Sequence, residues 1–416
     1  MLLLSHPTGN ANVRALLQGA QLRSQLSAYA TALGFSGGSA RFSGLPHAVA
    51  AELQRRCYEL PASQVLARPG LESFRLICRK LGVTRPLRQE TGFASVDAVY
   101  RDLDQHVARE LPQWQRERQL SAVYTYEDGA LSTLQAARRL GLQAAYDLPI
   151  AYWQTARGLL TEEAQRLPEW EPTLIATADS PHKLERKTAE LLAADLVVCP
   201  SAFVLESIPP ALRQGRRCIV AEFGSPPVST QMREAPTNRR MRFLFAGSMS
   251  QRKGLADVFA AFARLQRSDI ELVVMGSLLM PLAFYRRHGG DFTYEPTRPH
   301  AQVLELMDSC DALLLPSLVE GRALVQQEAL SRGLPIVVTR NAGGEDLVEE
   351  GRTGFIVPIR APESLADRIA WLADHRQDLP AMAEHARRMA ARCTWAANAD
   401  KVLDAVTETA PQAMAA

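Results

Sequence analysis

Short apolar runs alternate along this chain with longer amphipathic stretches. The runs fall at 2–5, 122–126, 143–146 and 196–199 in the first half, and at 242–246, 271–275, 312–315, 335–339 and 354–357 in the second. Each is followed by turn residues and then by a helical period. Buried strands alternating with helices predict α/β layers built on parallel sheets. Between 223 and 240 neither period holds, and Gly224, Pro226, Pro227 and Pro236 punctuate the stretch. That break predicts two domains, 1–228 and 229–394, followed by a last helix over 395–416 whose small, polar end from 407 frays.

The 416-residue length agrees with two domains of about 200 residues each. Hydrophobic residues make up 47% and charged residues 22%, so two ordinary cores are available without staples. A net charge of +2 argues against nucleic acid as the main partner. No apolar run approaches the roughly 20 residues of a membrane span. The apolar start, closed by His6-Pro7, reads as a first buried strand rather than a signal peptide. Six cysteines, Cys57, Cys78, Cys199, Cys218, Cys310 and Cys393, are scattered without a C-x-x-C pair, which predicts buried thiols rather than zinc ligands or disulfides.

The chemistry concentrates in Pro316-Ser-Leu-Val-Glu320-Gly321-Arg322-Ala323-Leu324-Val325-Gln-Gln-Glu328. This stretch leaves a buried strand and opens a helix. Its two glutamates stand about two helical turns apart on a similar face. The first N–H groups of a helix lack intrahelical partners and form a ready anion site. Carboxylates for hydroxyl groups and N–H groups for phosphate together suit a sugar diphosphate. Two glutamates at that spacing also occur on ordinary solvated helices. The context sharpens the pattern: Gly333-x-Pro335, another buried strand, then Gly343-Gly344-x-Asp346 and Gly351-x-x-Gly354.

From 247 to 357 the chain resembles family 4 retaining glycosyltransferases, whose hallmark is an E-x7-E motif, met by Glu320 and Glu328. The resemblance implies an α/β GT-B fold, two Rossmann-like domains facing a central cleft, with the last helix crossing back towards the first domain and Trp395 as its anchor. It implies that Glu320 contacts the transferred sugar and Glu328 the ribose, while the backbone from Gly321 through Arg322, Ala323, Leu324 and Val325 holds sugar and phosphate. A second element, Phe245-Ala-Gly247-Ser248-Met-Ser-Gln-Arg252-Lys253-Gly254, reads as strand, turn and helix start. The family usually carries Arg directly after this first Gly and Lys six positions after it. Lys253 fits the second place, Ser248 occupies the first, and Arg252 is the candidate for the missing charge. The alternative is a basic pair in an exposed turn.

In the first half, Gly9 in His6-Pro7-Thr8-Gly9-Asn10 is either the glycine of a loop facing the donor or part of a plain turn capped by Asn10. Relatives carry His-Asp where this chain has Tyr146-Asp147, leaving Asp147 as a candidate for acceptor binding or proton acceptance; Tyr124, Glu127 and Asp128 end the preceding strand near the same cleft. Glu185 starts a helix read mainly as scaffold. The resemblance implies transfer from a nucleoside-diphosphate sugar to a hydroxyl of a glycan or lipid-linked glycan, with retention, in bacterial polysaccharide or glycolipid assembly in the cytoplasm. No cofactor is expected. No Asp-x-Asp follows a strand in the second half, so no catalytic metal is expected either. Two rivals remain: an epimerase or hydrolase of sugar nucleotides on the same fold, and a non-catalytic partner subunit. Finally, 41–88 carries nine Arg or Lys against three Glu. These are either the polar faces of ordinary helices or a peripheral surface for anionic membrane or a lipid-diphosphate acceptor.

Overall fold

The computed structural model describes residues 1–38, 42, 44, 46–174, 178–236 and 238–408. Arg41 and Leu45 of the basic region, and the end of the polar tail from 409, lie outside the described residues. The first sheet has seven parallel strands in the order β5-β2-β1-β6-β7-β8-β9: β1 Leu2–Ser5, β2 Leu26–Thr31, β5 Val65–Ala67, β6 Ala122–Tyr126, β7 Gln143–Asp147, β8 Leu196–Cys199 and β9 Arg217–Val220. A two-stranded pair, β3 Phe35–Ser36 with β4 Cys57–Tyr58, flanks it. The second sheet has six parallel strands in the order β12-β11-β10-β13-β14-β15: β10 Met241–Ala246, β11 Ile270–Met275, β12 Thr293–Glu295, β13 Ala312–Leu315, β14 Ile336–Val338 and β15 Gly354–Ile356. This is the GT-B architecture of two Rossmann-like units.

The central strands are continuous apolar runs because helices cover both faces of each sheet. Phe243, Leu244 and Phe245 of β10 and Leu313–Leu315 of β13 are fully buried. Burial of each such side chain contributes about 1.5–3 kcal/mol. Strand order reverses between β1 and β6 in one sheet and between β10 and β13 in the other. Crevices at the carboxyl ends of strands at such reversals are where open α/β sheets bind ligands. The loops after β1, β10 and β13 carry Gly9, Lys253 and Glu320 respectively.

The two units are stitched in three places. The last helix, Trp395–Thr407, returns to the first sheet's layer and packs on the helix Ala11–Leu22, where a Cβ on Gly19 would stand 2.8 Å from Ala399 Cβ. Trp395 stacks on Phe223 at 5.8 Å, and Asn398 Nδ2 donates to the Ala221 carbonyl at 3.0 Å. The helix Trp153–Arg166 and the turn Pro168–Thr173 send Trp170 into the second core, edge-on to Phe284 at 5.0 Å. Beside it, Glu163 is fully buried and accepts from Gln251 Nε2 at 2.6 Å and from Arg360 Nε at 2.9 Å. None of the six cysteines, all of them described, is in a disulfide.

Candidate functional site

In the second unit, β10 ends at Ala246 and the chain turns sharply. The Gly247 N–H donates to the Met275 carbonyl, and Ser248 Oγ stands 3.5 Å from Ser250 Oγ. A single turn, Gln251–Lys253, then presents both cations to the loop after β13. Lys253 Nζ hydrogen-bonds Glu320 Oε1, and Arg252 Nη1 reaches the same oxygen at 3.0 Å while donating to the Val319 carbonyl at 2.8 Å. Glu320 is buried, which alone would raise its pKa; Lys253 and Arg252 outweigh that and hold the carboxyl below its usual range.

The loop is held by side chains from neighbouring segments. Thr339 Oγ1 donates to the Ser317 carbonyl at 2.5 Å and Asn341 Nδ2 to the Leu318 carbonyl at 2.8 Å. Arg322 is buried; its Nη1 and Nη2 form a two-pronged pair with Asp346 at 2.6 and 2.9 Å. The helix Leu324–Ser331 opens directly behind, with Ala323 at its cap. The Ala323 N–H already donates to the Ala342 carbonyl at 3.1 Å, so that N–H is engaged within the protein. Glu328, on this helix, is largely buried, and His300 Nε2 stands 3.0 Å from its Oε1. Burial raises the Glu328 pKa and His300 pulls it back. His300 escaped the sequence reading because its proximity arises from the packing of the helix His300–Asp308 beside Leu324–Ser331.

In the first unit, Gly9 has φ +64°, and a Cβ there would stand 2.4 Å from Tyr58 Oη. Its close neighbour is thus a tyrosine of its own unit. The turn is held by His6, whose Nδ1 accepts the N–H groups of Thr8 at 3.1 Å and Gly9 at 2.8 Å. Burial lowers the His6 pKa to about 3, so the ring is neutral and suited to accept. Asn10 caps the helix Ala11–Leu22 by accepting from the Val13 N–H. Asp147 ends β7, buried, accepting from Tyr124 Oη at 2.6 Å and from Asn12 Nδ2 at 3.2 Å. Burial pushes its pKa up to about 7.

Glu127 and Asp128 are taken up by cations. Lys187 Nζ lies 3.3 Å from Glu127, and Arg186 donates to Asp128 at 3.2 Å. Glu185 is exposed, while its neighbour Glu190 is buried, with its pKa raised to about 8 by burial, and accepts the Asp128 and Ala130 N–H groups. Part of the basic region is likewise paired: Arg56 with Glu52 and Glu72, Arg75 with Glu72, Arg79 with Glu52, Arg68 with Asp102. It is not a continuous cationic face. Among the described residues no group of three His, Cys, Asp or Glu is arranged to hold a metal ion, and no helix is long and apolar enough to cross a membrane.

The two units meet at the site. Ser201 Oγ, after β8, donates to the Gly321 carbonyl at 2.6 Å, and the Pro149 carbonyl, after β7, packs on Gly321 Cα. Residues 229–389 match the family model described as glycosyl transferases group 1. The second unit is a group 1 glycosyltransferase domain. Over 107 residues the chain is 33% identical to a D-inositol 3-phosphate glycosyltransferase of Corynebacterium urealyticum, covering 26% of this chain and 25% of that protein. The chain thus spans about a quarter of that relative's length. Over nearly the whole chain, the fold is similar to two solved structures. HepE of Anabaena, in complex with UDP, has a TM-score of 0.61 at 16% identity, covering 98% of this chain and 99% of that one. WaaG, a glycosyltransferase involved in lipopolysaccharide biosynthesis, has a TM-score of 0.60 at 16% identity, covering 98% and 100%.

Proposed function

We propose that this protein transfers a sugar from a nucleoside-diphosphate sugar to an acceptor hydroxyl with retention of anomeric configuration. One observation carries the reading: Lys253 and Arg252 converge on buried Glu320 at the strand-order reversal of a group 1 glycosyltransferase domain, with Glu328 two turns further along the adjoining helix. In this reading Glu320 accepts hydrogen bonds from the transferred sugar and Glu328 from the ribose. The Gly247-Ser248 turn and the backbone of 321–325 line the sugar diphosphate. The bond from the anomeric carbon to the phosphate oxygen breaks as the acceptor oxygen bonds to that carbon on the face the diphosphate leaves, which preserves the configuration. Lys253 and Arg252 meet the charge growing on the departing diphosphate. The acceptor proton passes to Asp147, whose raised pKa suits a base near neutral pH better than an ordinary carboxylate does.

The acceptor is a glycan or lipid-linked glycan of a bacterial surface, met in the cytoplasm or on the inner face of its membrane. A melting-temperature panel with UDP-, GDP-, ADP- and dTDP-sugars identifies the donor, because a ligand of the native state raises stability by mass action. Mass spectrometry with that donor and candidate glycan acceptors then tests transfer. A glycosylated acceptor supports the reading. Sugar interconversion or hydrolysis without acceptor, or donor binding with no turnover on any acceptor, overturns it.

A further inference from the structure

Among the described residues eleven large apolar side chains are exposed, and six of them fall within 74–96. They are Phe74 at 40% exposure, Ile77 at 56%, Leu81 at 72%, Val83 at 45%, Phe93 at 62% and Val96 at 55%. Phe74, Ile77 and Leu81 follow one another at three- and four-residue spacing, which puts them along one stripe of the helix Pro69–Lys80 and its C-terminal cap. The Phe93 ring closes on Phe74 with centroids 5.2 Å apart. Isolated exposed apolar residues are ordinary, whereas a contiguous cluster marks an interaction surface.

This helix is inside out. Its inward face carries Glu72, 1% exposed, which binds Arg56 at 2.7 Å and Arg75 at 2.6 Å. A surface helix usually buries its apolar stripe and shows its charges. Here Glu72 and Arg75 are neutralised within the protein and the apolar stripe faces out. The exposed charges bordering the stripe are Arg79, Lys80, Arg85 and Arg88. Three carboxylates of this stretch of chain are already engaged: Glu52 with Arg56 and Arg79, Glu72 with Arg56 and Arg75, Glu90 with Ser180.

We propose that this surface docks on an anionic lipid bilayer, its apolar stripe in the interfacial region and Lys80, Arg85 and Arg88 among the head groups. The cationic rim decides the occupant. Two copies pairing through the same patch would set these cations against each other, while an anionic bilayer satisfies both the stripe and its rim. Attraction by the paired arginines Arg56, Arg68 and Arg75 plays no part. Docking also has a geometric consequence. Glu52, which binds Arg79 of the docking helix, lines with Arg55 and Arg56 a cavity of about 420 Å³ that reaches Thr8 and Gly9 at the strand-order reversal of the first sheet. That ion pair ties the docking helix to the lining of the cavity. That the acceptor is drawn from the bilayer rests on the proposed transfer; the docking itself does not.

The test uses the full chain and vesicles of phosphatidylcholine with or without phosphatidylglycerol, with neither donor nor acceptor present. Co-sedimentation is expected with the anionic vesicles, at least about tenfold stronger than with the neutral ones, since each basic residue at an anionic surface strengthens binding about fivefold. Ile77→Ser/Leu81→Ser/Phe93→Ser is expected to abolish it, and Lys80→Glu/Arg85→Glu/Arg88→Glu to reduce it at least about tenfold. Calorimetric nucleotide affinity should be unchanged in both, which separates a failure of docking from a failure of the donor site. Phe93→Trp, a variant keeping an aromatic ring in the patch, should shift its emission to the blue on anionic vesicles alone. Wild-type protein that ignores anionic vesicles at low salt overturns the proposal. So does a wild-type dimer that the apolar substitutions convert to monomer, which would make the patch a self-interface.

Discussion

The Pro149 carbonyl oxygen lies so close to Gly321 that a Cβ built on the glycine would stand 1.7 Å from it. This contact joins the loop after β7 to the loop that carries Glu320, and Ser201 Oγ binds the carbonyl of the same glycine from the neighbouring strand. The requirement for glycine here is one of space, set by the other unit of the fold. Gly321→Ala must part the two loops or strain both, a cost of about 1–3 kcal/mol for an overpacked contact. The variant is expected to melt at lower temperature and to lose kcat/KM for the donor. Wild-type melting with wild-type activity would show that the two units do not close this tightly in solution.

Lys253→Ala removes one of the two cations on Glu320 and leaves Arg252 in place. Charge on the leaving diphosphate is larger in the transition state than in the bound donor. Turnover should therefore fall by about 10²–10³, as for loss of a single electrostatic stabiliser, with a much smaller change in donor affinity. Steady-state kinetics alongside calorimetry separate the two effects. An equal loss in affinity with turnover intact would assign Lys253 to ground-state binding alone.

The second sheet was more legible than the first, for a physical reason. Strands β10, β11, β13, β14 and β15 are apolar runs bounded by glycine or proline, and the E-x7-E pattern leaves one of them. Strands β2, β5, β9 and β12 were not foreseen. Four of the six residues of Leu26–Thr31 are Ser, Thr or Ala, and Val65–Ala67 and Thr293–Glu295 are three-residue edges too short to show a period. Pairings across the fold were invisible altogether. His300 meets Glu328 over a separation of 28 residues, and Pro149 meets Gly321 over 172; no local pattern encodes either. The basic count over 41–88 is legible only in part, because composition does not reveal that Glu52, Glu72 and Asp102 pair with Arg56, Arg68, Arg75 and Arg79 while Lys80, Arg85 and Arg88 stay exposed.

Glu328→Ala tests the ribose assignment. Its carboxylate is largely buried and already has one partner, His300, at 3.0 Å. If ribose hydroxyls donate to it, truncation leaves them unmatched at a cost of about 1–3 kcal/mol, roughly fivefold to 150-fold in affinity for the nucleoside diphosphate. His300→Ala removes only the protein partner and should weaken binding much less. Calorimetry with both variants decides it: an unchanged affinity in Glu328→Ala removes the ribose role.

Asp147 offers a test in which the direction of the pH effect is fixed in advance. Burial is the largest influence on its pKa; the hydrogen bonds from Tyr124 and Asn12 pull it down, but the net result is about 7. In the unfolded chain an aspartate titrates near 3.9. Between about pH 4 and pH 7 the native state therefore holds a proton that the unfolded state has released. Stability from this group is greatest at the acid end of that window and declines as pH rises to 7, by an amount on the order of a few kcal/mol. Asp147→Asn cannot release the proton and should flatten that decline, so that its stability relative to wild type improves from pH 5 to pH 8. Activity should move in the opposite sense. Only the ionised carboxylate can accept the acceptor's proton, so kcat should rise through pH about 7 in the wild type. The substituted protein should lose that limb and most of its turnover. Denaturant melts and rate profiles on the same two proteins distinguish the outcomes. A flattened stability curve with an unaltered rate profile would leave Asp147 as a buried acid that supports β7, and the proton would have to leave the acceptor by another route, such as an oxygen of the departing diphosphate.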